Sequence, residues 1–340
     1  MGIITKRTKK EKPVSQEKFK TMIGGQALIE GIMMRGPEKD ATVIRGKDGL
    51  QIEVKNRKML PEKSILRWPL IRGVYNFFDS NVVGVKAIMR SADLSPEEMQ
   101  EEEPSKLDLW LEKKLGDEKF QKLLIGIAVF LGLAMSVGLF FLIPMVVGSF
   151  FYELVDSTVL VNLIEGLVRV VIFVAYMYLI SRMKDMKRLF SYHGAEHKTI
   201  RCYEAKLPLT VENVRIQTRR HPRCGTSFLF VVMILSILVF SVASSALLAA
   251  VPSLELMRGT FLFKLIMIGY KLLLLPLVVS ISYEINRWVG RKDNFLTKIV
   301  TAPGLWFQSF TTNEPDDSMI EVAITALEAV VPEKEGTDQW

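Results

Sequence analysis

The stretch Leu123–Tyr152, LLIGIAVFLGLAMSVGLFFLIPMVVGSFFY, decides the fold of this 340-residue chain because it contains no charged side chain. A helix needs about 20 apolar residues to cross the hydrocarbon core of a bilayer. Thr226–Leu254 is a second uncharged block of sufficient length, and Val159–Ile180 and Thr260–Tyr283 are as hydrophobic but carry a few charges. The sequence therefore predicts a mainly α membrane protein with four transmembrane helices.

Basic residues are distributed unevenly between the segments that connect these spans. The loop 182–225 carries eleven Lys/Arg and four Asp/Glu, whereas the connections Glu153–Thr158 and Pro252–Gly259 share one basic residue, Arg258. Because basic residues are retained on the cytoplasmic side, we expect the loop and both chain termini to lie in the cytoplasm. The N-terminal residues are basic and polar, so we expect no cleavable signal peptide. The lipid bilayer is then the first expected partner.

The polar segments predict a small cytoplasmic β-containing N-terminal subdomain and amphipathic surface helices. Met22–Met34 is apolar and rich in glycine, and Gly46–Gly49 is a hairpin turn signal between two strand-like runs. Residues 64–92 carry apolar side chains at helical spacing, which fits either an interfacial helix along the membrane or a helix packed on the strands. We expect the cytoplasmic N-terminal part to consist of a basic disordered tail (1–20), the β-subdomain (21–62) and amphipathic helices with an acidic linker (63–120). A four-helix membrane domain (121–285), which includes the loop 182–225, should follow. The chain should end in interfacial and C-terminal helices (286–331) and a tail (332–340) that we expect to be disordered.

Four charged residues lie inside the predicted spans, namely Glu165, Arg169, Lys264 and Lys271. An unpaired charge inside a bilayer costs several kcal/mol, so these groups should face one another or a wet cavity. At about 1.5 Å of rise per residue, Glu165 can neutralise Arg169 in its own helix or either lysine across an interface. A polar path between the spans is one interpretation. A single buried ion pair is the interpretation that we favour.

All three histidines and both cysteines fall within the loop 182–225. His193-Gly194-Ala195-Glu196-His197 places two imidazoles one helical turn apart, a spacing that chelates zinc, with Glu196 beside them as a general base. His221 and Cys224 follow just before the third span. The two cysteines cannot form a disulfide framework, and we expect reduced thiols.

Three interpretations of this cluster remain open. The first is a catalytic zinc site with His193, His197 and either His221 or Cys224 as ligands. The second is a closed structural site that uses all four side chains. The third has no metal, with the histidines capping helix ends or bonding within a polar interface. The number of ligands separates the first two, because four protein ligands leave no open position for a substrate.

The segment 23–37 contains four glycines among apolar residues, which is typical of a strand whose backbone approaches another group closely. Gln26, Glu30 and Arg35 are its candidates for ligand or structural contacts, and Glu30 could complete a metal sphere. The simpler interpretation is a glycine-kinked strand with Glu30 and Arg35 exposed.

Three motifs, at residues 24–36, 193–200 and 220–228, resemble the bacterial membrane family called YqhQ. The resemblance covers nearly the whole chain beyond the basic tail. It implies a bacterial multi-pass protein in the cytoplasmic membrane. The family carries the label of a predicted metal-dependent enzyme, which adds little independent support for catalysis because it depends on these same histidines.

Two classes of function follow from the sequence. The first is a zinc-dependent hydrolase at the cytoplasmic membrane face, motivated by the HxxEH string at a membrane boundary. The alternative is a non-enzymatic membrane factor that binds the ribosome, the translocation channel or anionic lipid. The basic segments Lys6–Lys20 and Arg215–Arg223 motivate it, although such charges can also serve only to set topology. No phosphate-binding loop or dinucleotide fingerprint is present.

Overall fold

The computed structural model describes residues 19–61, 63–94, 116–151, 155, 157–334 and 336–339. Most of the predicted basic tail and the acidic linker lie outside these residues. The strands are β1 (Gly24–Leu28), β2 (Gly31–Arg35), β3 (Lys39–Gly46) and β4 (Gly49–Asn56). The helices are α1 (Ile71–Leu94), α2 (Asp117–Val137), α3 (Ile143–Phe151), α4 (Thr158–Ile180), α5 (Lys184–Glu204), α6 (Val211–Arg215), α7 (Gly225–Ala250), α8 (Pro252–Glu255), α9 (Phe261–Arg291), α10 (Phe295–Thr311) and α11 (Asp317–Glu328).

Within the part of the chain that the structure describes, four helical segments are long and apolar enough to cross a membrane. The first combines α2 and α3 with the π-helix Gly138–Leu142 that joins them, and the others are α4, α7 and α9. Helix α9 extends to Arg291, well beyond the predicted end of its span at Tyr283. The predicted fold class is confirmed to this extent: a mainly helical chain, four membrane-length apolar helices and a small N-terminal sheet.

The sheet is antiparallel with the order β1-β2-β3-β4. The apolar stretch Met22–Met34 forms two strands rather than one, because the chain turns at Ile29-Glu30 and pairs Leu28 with Gly31. Glu30 has φ 52° at this turn. The predicted hairpin at Gly46–Gly49 joins β3 to β4, as its sequence indicated.

Helices cover both faces of strands β1 to β3, whereas every residue of β4 is exposed. Ile32 and Met34 of β2 pack with α5 and α11 in the largest buried core, while Met33 between them packs against Ala87 of α1 on the opposite face. This alternation follows from the two-residue repeat of a strand. Helix α1 therefore packs on the strands, and it also exposes an apolar stripe that includes Phe78 and Val82.

The C-terminal region contains a proline within a helix and an ordered end. Helix α10 is continuous through Pro303, and Phe307 and Gln308 in its second half are fully buried and hold it in place. The tail expected to be disordered is ordered at its end. Asp338 is buried and accepts a 2.5 Å hydrogen bond from the Thr21 hydroxyl next to β1.

Among the described residues, three of the four charges predicted inside the spans form one ion pair and one separate contact. Lys271 of α9 donates to Glu165 of α4 over 2.5 Å, and both side chains are buried. Arg169 instead donates its Nε–H to the Phe140 carbonyl over 2.8 Å. Phe140 lies in the π-helix, whose irregular hydrogen bonding makes a carbonyl available. Lys264 is half-buried and does not contribute to the Glu165 pair.

Replacing Lys271 with Met should destabilise the protein, because Glu165 would stay buried without its partner. Breaking one side of a buried ion pair costs about 3–5 kcal/mol. Lys264→Met is the matched control in the same helix and should cost much less. The measurement is the unfolding midpoint of the detergent-solubilised protein. If both variants lower this midpoint equally, the ion pair between Glu165 and Lys271 does not stabilise the protein.

Candidate metal centre

Helix α5 carries the HxxEH string through the centre of the polar end of the molecule, and nearly every residue from Tyr192 to Cys202 is buried. Gly194 within this helix allows another segment to cross closely over it. A Cβ atom at this position would lie 2.0 Å from the carbonyl oxygen of Asn313, in the chain that follows α10. The Asn313 amide donates to the Phe190 carbonyl at the same crossing, over 2.8 Å.

His193 and His197 share one face of α5, with their ring centroids 4.3 Å apart. His193 Nδ1 lies 2.7 Å from the Thr311 carbonyl oxygen, and His197 Nδ1 lies 2.6 Å from that of Arg219. A carbonyl oxygen only accepts, so both Nδ1 atoms carry the proton and donate. Metal-binding histidines are usually held in this way, because the bond at one nitrogen directs the lone pair of the other to the metal.

Cys224 completes a group of three metal-ligating side chains. Its Sγ lies 3.1 Å from His193 Nε2, and the ligand atoms of His193, His197 and Cys224 all lie within 4.8 Å of one another. His197 Nε2 is buried and has no hydrogen-bond partner among the described residues. Since buried polar atoms are rarely left without a partner, this nitrogen is suited to a cation.

The electrostatics of the cluster favour a thiolate. Burial raises the pKa of the Cys224 thiol, but His193 and His197 outweigh burial and hold this pKa well below its ordinary value. For His193 burial has the opposite sign and lowers the pKa, but the interaction with Cys224 outweighs burial and raises the pKa of His193 to about 9. A thiolate is the form of cysteine that binds metals.

Glu196 lies beside the cluster and is held by a backbone amide. Its Oε1 accepts a 3.0 Å hydrogen bond from the N–H of Gly25 in β1. A Cβ atom at Gly25 would lie 2.9 Å from Glu196 Cγ, so only glycine allows this approach. Burial raises the pKa of Glu196 above its ordinary value, although both imidazoles oppose that change.

His221, predicted either as an alternative to Cys224 for the third ligand or as one of four ligands, faces a different set of partners. Its Nε2 lies 3.4 Å from Glu204 Oε2 and 3.3 Å from Arg223 Nη2. Gln308 bonds both the amide and the carbonyl of His221 and fixes this part of the chain. Burial lowers the pKa of His221 to about 4, against the opposing effect of Glu204. The three-ligand interpretation therefore fits the geometry better than the four-ligand one.

The three candidate residues from the N-terminal strands, Gln26, Glu30 and Arg35, contact neighbouring strands and helices and not the histidine and cysteine cluster. Glu30 is buried rather than exposed, and its carboxylate accepts hydrogen bonds from Arg188 and from the Tyr192 hydroxyl. Arg35 forms ion pairs with acidic side chains of β3 and α1. Gln26 lies against Gly84 of α1. Glu30 is thus not placed to complete a metal sphere.

Sequence reasoning missed the groups that orient the imidazoles and Glu196. They are main-chain atoms: the carbonyls of Thr311 and Arg219 and the amide of Gly25. A main-chain acceptor can belong to any residue type, so the sequence contains no signal for it. The glycine pattern at 24–36 was the one available indication of a close backbone approach.

Comparison with known proteins identifies the family. The family described as "Protein of unknown function (DUF1385)" matches residues 68–333. The chain belongs to the DUF1385 family. This DUF1385 chain is also 31% identical, over 92% of its length and 93% of the relative, to "Uncharacterized protein YqhQ" from Bacillus subtilis (strain 168). The resemblance noted in the sequence is confirmed. No solved structure matches the chain.

Replacing Gly25 with Ala in this DUF1385 protein should displace Glu196 and destabilise the polar end. The new methyl group would lie 2.9 Å from Glu196 Cγ and from the Met33 carbonyl oxygen, and such overpacking costs about 1–3 kcal/mol. Gly24→Ala is the control, because a Cβ atom there meets nothing within 4 Å. Equal unfolding midpoints for the two variants would contradict the proposed contact.

Proposed function

We propose that this chain is a bacterial integral membrane protein with a metal-dependent hydrolase site at its cytoplasmic face, and that the metal is zinc. The convergence of His193, His197 and Cys224 carries the proposal. Each imidazole is fixed through Nδ1–H by a main-chain carbonyl, and the third ligand is a thiolate. Nitrogen and sulfur ligands in this number are typical of catalytic zinc sites, which keep one position open.

The roles of the residues follow from their contacts. His193 and His197 would bind the metal through Nε2, and Cys224 through Sγ. Bound zinc would supply a Lewis acid that polarises the bond to be cleaved and the attacking water. Glu196 would act as the general base, because it lies beside the ligands and burial raises its pKa towards the working range of a base.

The membrane part of the proposal is supported by the four apolar helices and by where the polar elements gather. Helix α4 ends, α7 begins and α9 ends at the side of the bundle where α5, α10 and α11 pack. The loop 182–225 at this side is strongly basic. We assign this side to the cytoplasm, together with both chain termini, because basic loops are retained there.

The alternative is a non-enzymatic factor that binds a ribosome, a translocation channel or anionic lipid through the basic segments Lys6–Lys20 and Arg215–Arg223, and the contacts of the second segment give it less support. Arg215 pairs with Asp317 over 2.5 Å, and Arg223 pairs with Glu204. Arg219 lies 3.9 Å from Glu314. These internal pairs reduce the charge that the segment Arg215–Arg223 can offer to a partner.

Zinc content tests the ligand set. We expect about one zinc per chain in the purified protein, and most of it should be lost when His193, His197 or Cys224 is replaced with Ala. His221→Ala is the matched control, because its ring faces Glu204, and it should keep its zinc. Elemental analysis is the measurement. A wild-type protein without stoichiometric metal would overturn the proposal, and metal loss in His221→Ala would favour the four-ligand structural site.

The same proteins test catalysis. Glu196→Gln should keep its zinc and lose about 10²–10⁴-fold in turnover, measured on ester, peptide and phosphodiester reporters in detergent micelles. If zinc-loaded wild type and Glu196→Gln hydrolyse every reporter at the same background rate, the centre is not catalytic.

Reporter fusions test the orientation. Alkaline phosphatase is active only outside the cytoplasm, so a fusion after Ser157, between the first two spans, should be active. A fusion after Arg220 should be inactive. Green fluorescent protein at the same two positions should give the opposite pattern. Active phosphatase at Arg220 would invert the assigned topology.

A further inference from the structure

A cavity of about 1040 Å³ opens at the polar end of the bundle, beside the candidate metal centre but lined by other residues. Its walls come from the end of α5, the segment before α7, the end of α9 and the first half of α10. Val289 and Leu305 contribute apolar surface where α9 leaves the bundle. The cavity thus lies at the level where the apolar helices meet the polar part of the protein.

Positive charge dominates the walls. Glu204 is one of two acidic residues there, and it is already engaged by Arg223, by His221 and by the Thr21 amide. Such a surplus of like charge is unfavourable unless an anion offsets it. The basic side chains that line the cavity are Lys20, Arg201, Lys206, Arg223, Lys292 and Lys298.

Arg223 supplies a donor without a partner. Its side chain is 9% exposed, and its Nη2 contacts Glu204 and His221. Its Nε is buried and has no hydrogen-bond partner among the residues that the structure describes. A buried guanidinium donor left unpaired is costly, and Arg223 is one of the residues that line the cavity.

Helix α10 adds to the positive potential. Thr297, Lys298 and Thr301 line the cavity from its first half, close to its N-terminal end, where the helix dipole favours anions. Lys292 and Lys298 are exposed, and neither forms a side-chain ion pair within the described part of the chain. Both ammonium groups are therefore available to a ligand.

We propose that this cavity binds an anionic phosphate group, presented either by a phospholipid headgroup or by a soluble phosphate ester. Phosphate oxygens suit both the guanidinium and the ammonium donors of the walls. The apolar surface at Val289 and Leu305 suits the first carbons of a lipid. None of the three proposed metal ligands lines this cavity. Phosphate binding here therefore does not depend on hydrolase activity.

The test is lipid binding to the full-length protein in detergent, followed by native mass spectrometry. Phosphatidylglycerol should bind more tightly than phosphatidylcholine. Lys292→Ala/Lys298→Ala should weaken phosphatidylglycerol binding about 30-fold, because each basic residue near an anionic lipid contributes roughly a factor of five. Both side chains are exposed, so the double variant should fold.

Lys184→Ala/Lys187→Ala is the matched control, because it removes two exposed lysines from the start of α5, outside the cavity. It should change binding less than about twofold. Glycerol 3-phosphate added alone to lipid-free protein separates the two sources: its binding assigns the site to soluble phosphate esters, and binding of phosphatidylglycerol without it assigns the site to lipid. Either outcome supports the proposal. Equal binding of both lipids together with no binding of glycerol 3-phosphate, or equal weakening by both double variants, would overturn it.

Discussion

Two hydrogen bonds from imidazole to main chain constrain the polar end of this molecule. His193 donates to the Thr311 carbonyl and His197 to that of Arg219, so helix α5 is tied both to the end of α10 and to the segment before α7. Each bond also fixes the orientation of its ring, so that Nε2 of both histidines lies close to Cys224 Sγ. The same contacts therefore hold three elements together and bring the ligands of the proposed metal site close to one another.

The surrounding packing keeps α5 in this position. The segment that follows α10 crosses directly over Gly194 at Asn313, and β1 approaches Glu196 through the Gly25 amide. Glu30 binds Arg188 and the Tyr192 hydroxyl from the tip of the first hairpin. The sheet and α11 thus serve to enclose one polar helix at the end of an apolar bundle. The Glu165–Lys271 pair is a separate polar contact within the bundle.

The sequence predicted the features that depend on local pattern and missed those that depend on distant main-chain atoms. The spans were predictable because long apolar runs leave few alternatives, and the pairing of His193 with His197 follows from helical periodicity. The position of His221 was not predictable, since Gln308 and Glu204 determine it from other elements. The order at Asp338 could not be predicted either, because it depends on pairing with the far end of the chain.

X-ray absorption at the zinc edge is the most direct measurement of the central claim, because it counts the ligand atoms around the metal in the purified protein. Two imidazole nitrogens, one sulfur at about 2.3 Å and one further light atom are expected. That result would agree with His193, His197 and Cys224 as the protein ligands. A third imidazole in the shell, a shell without sulfur, or a protein that binds no zinc would contradict it.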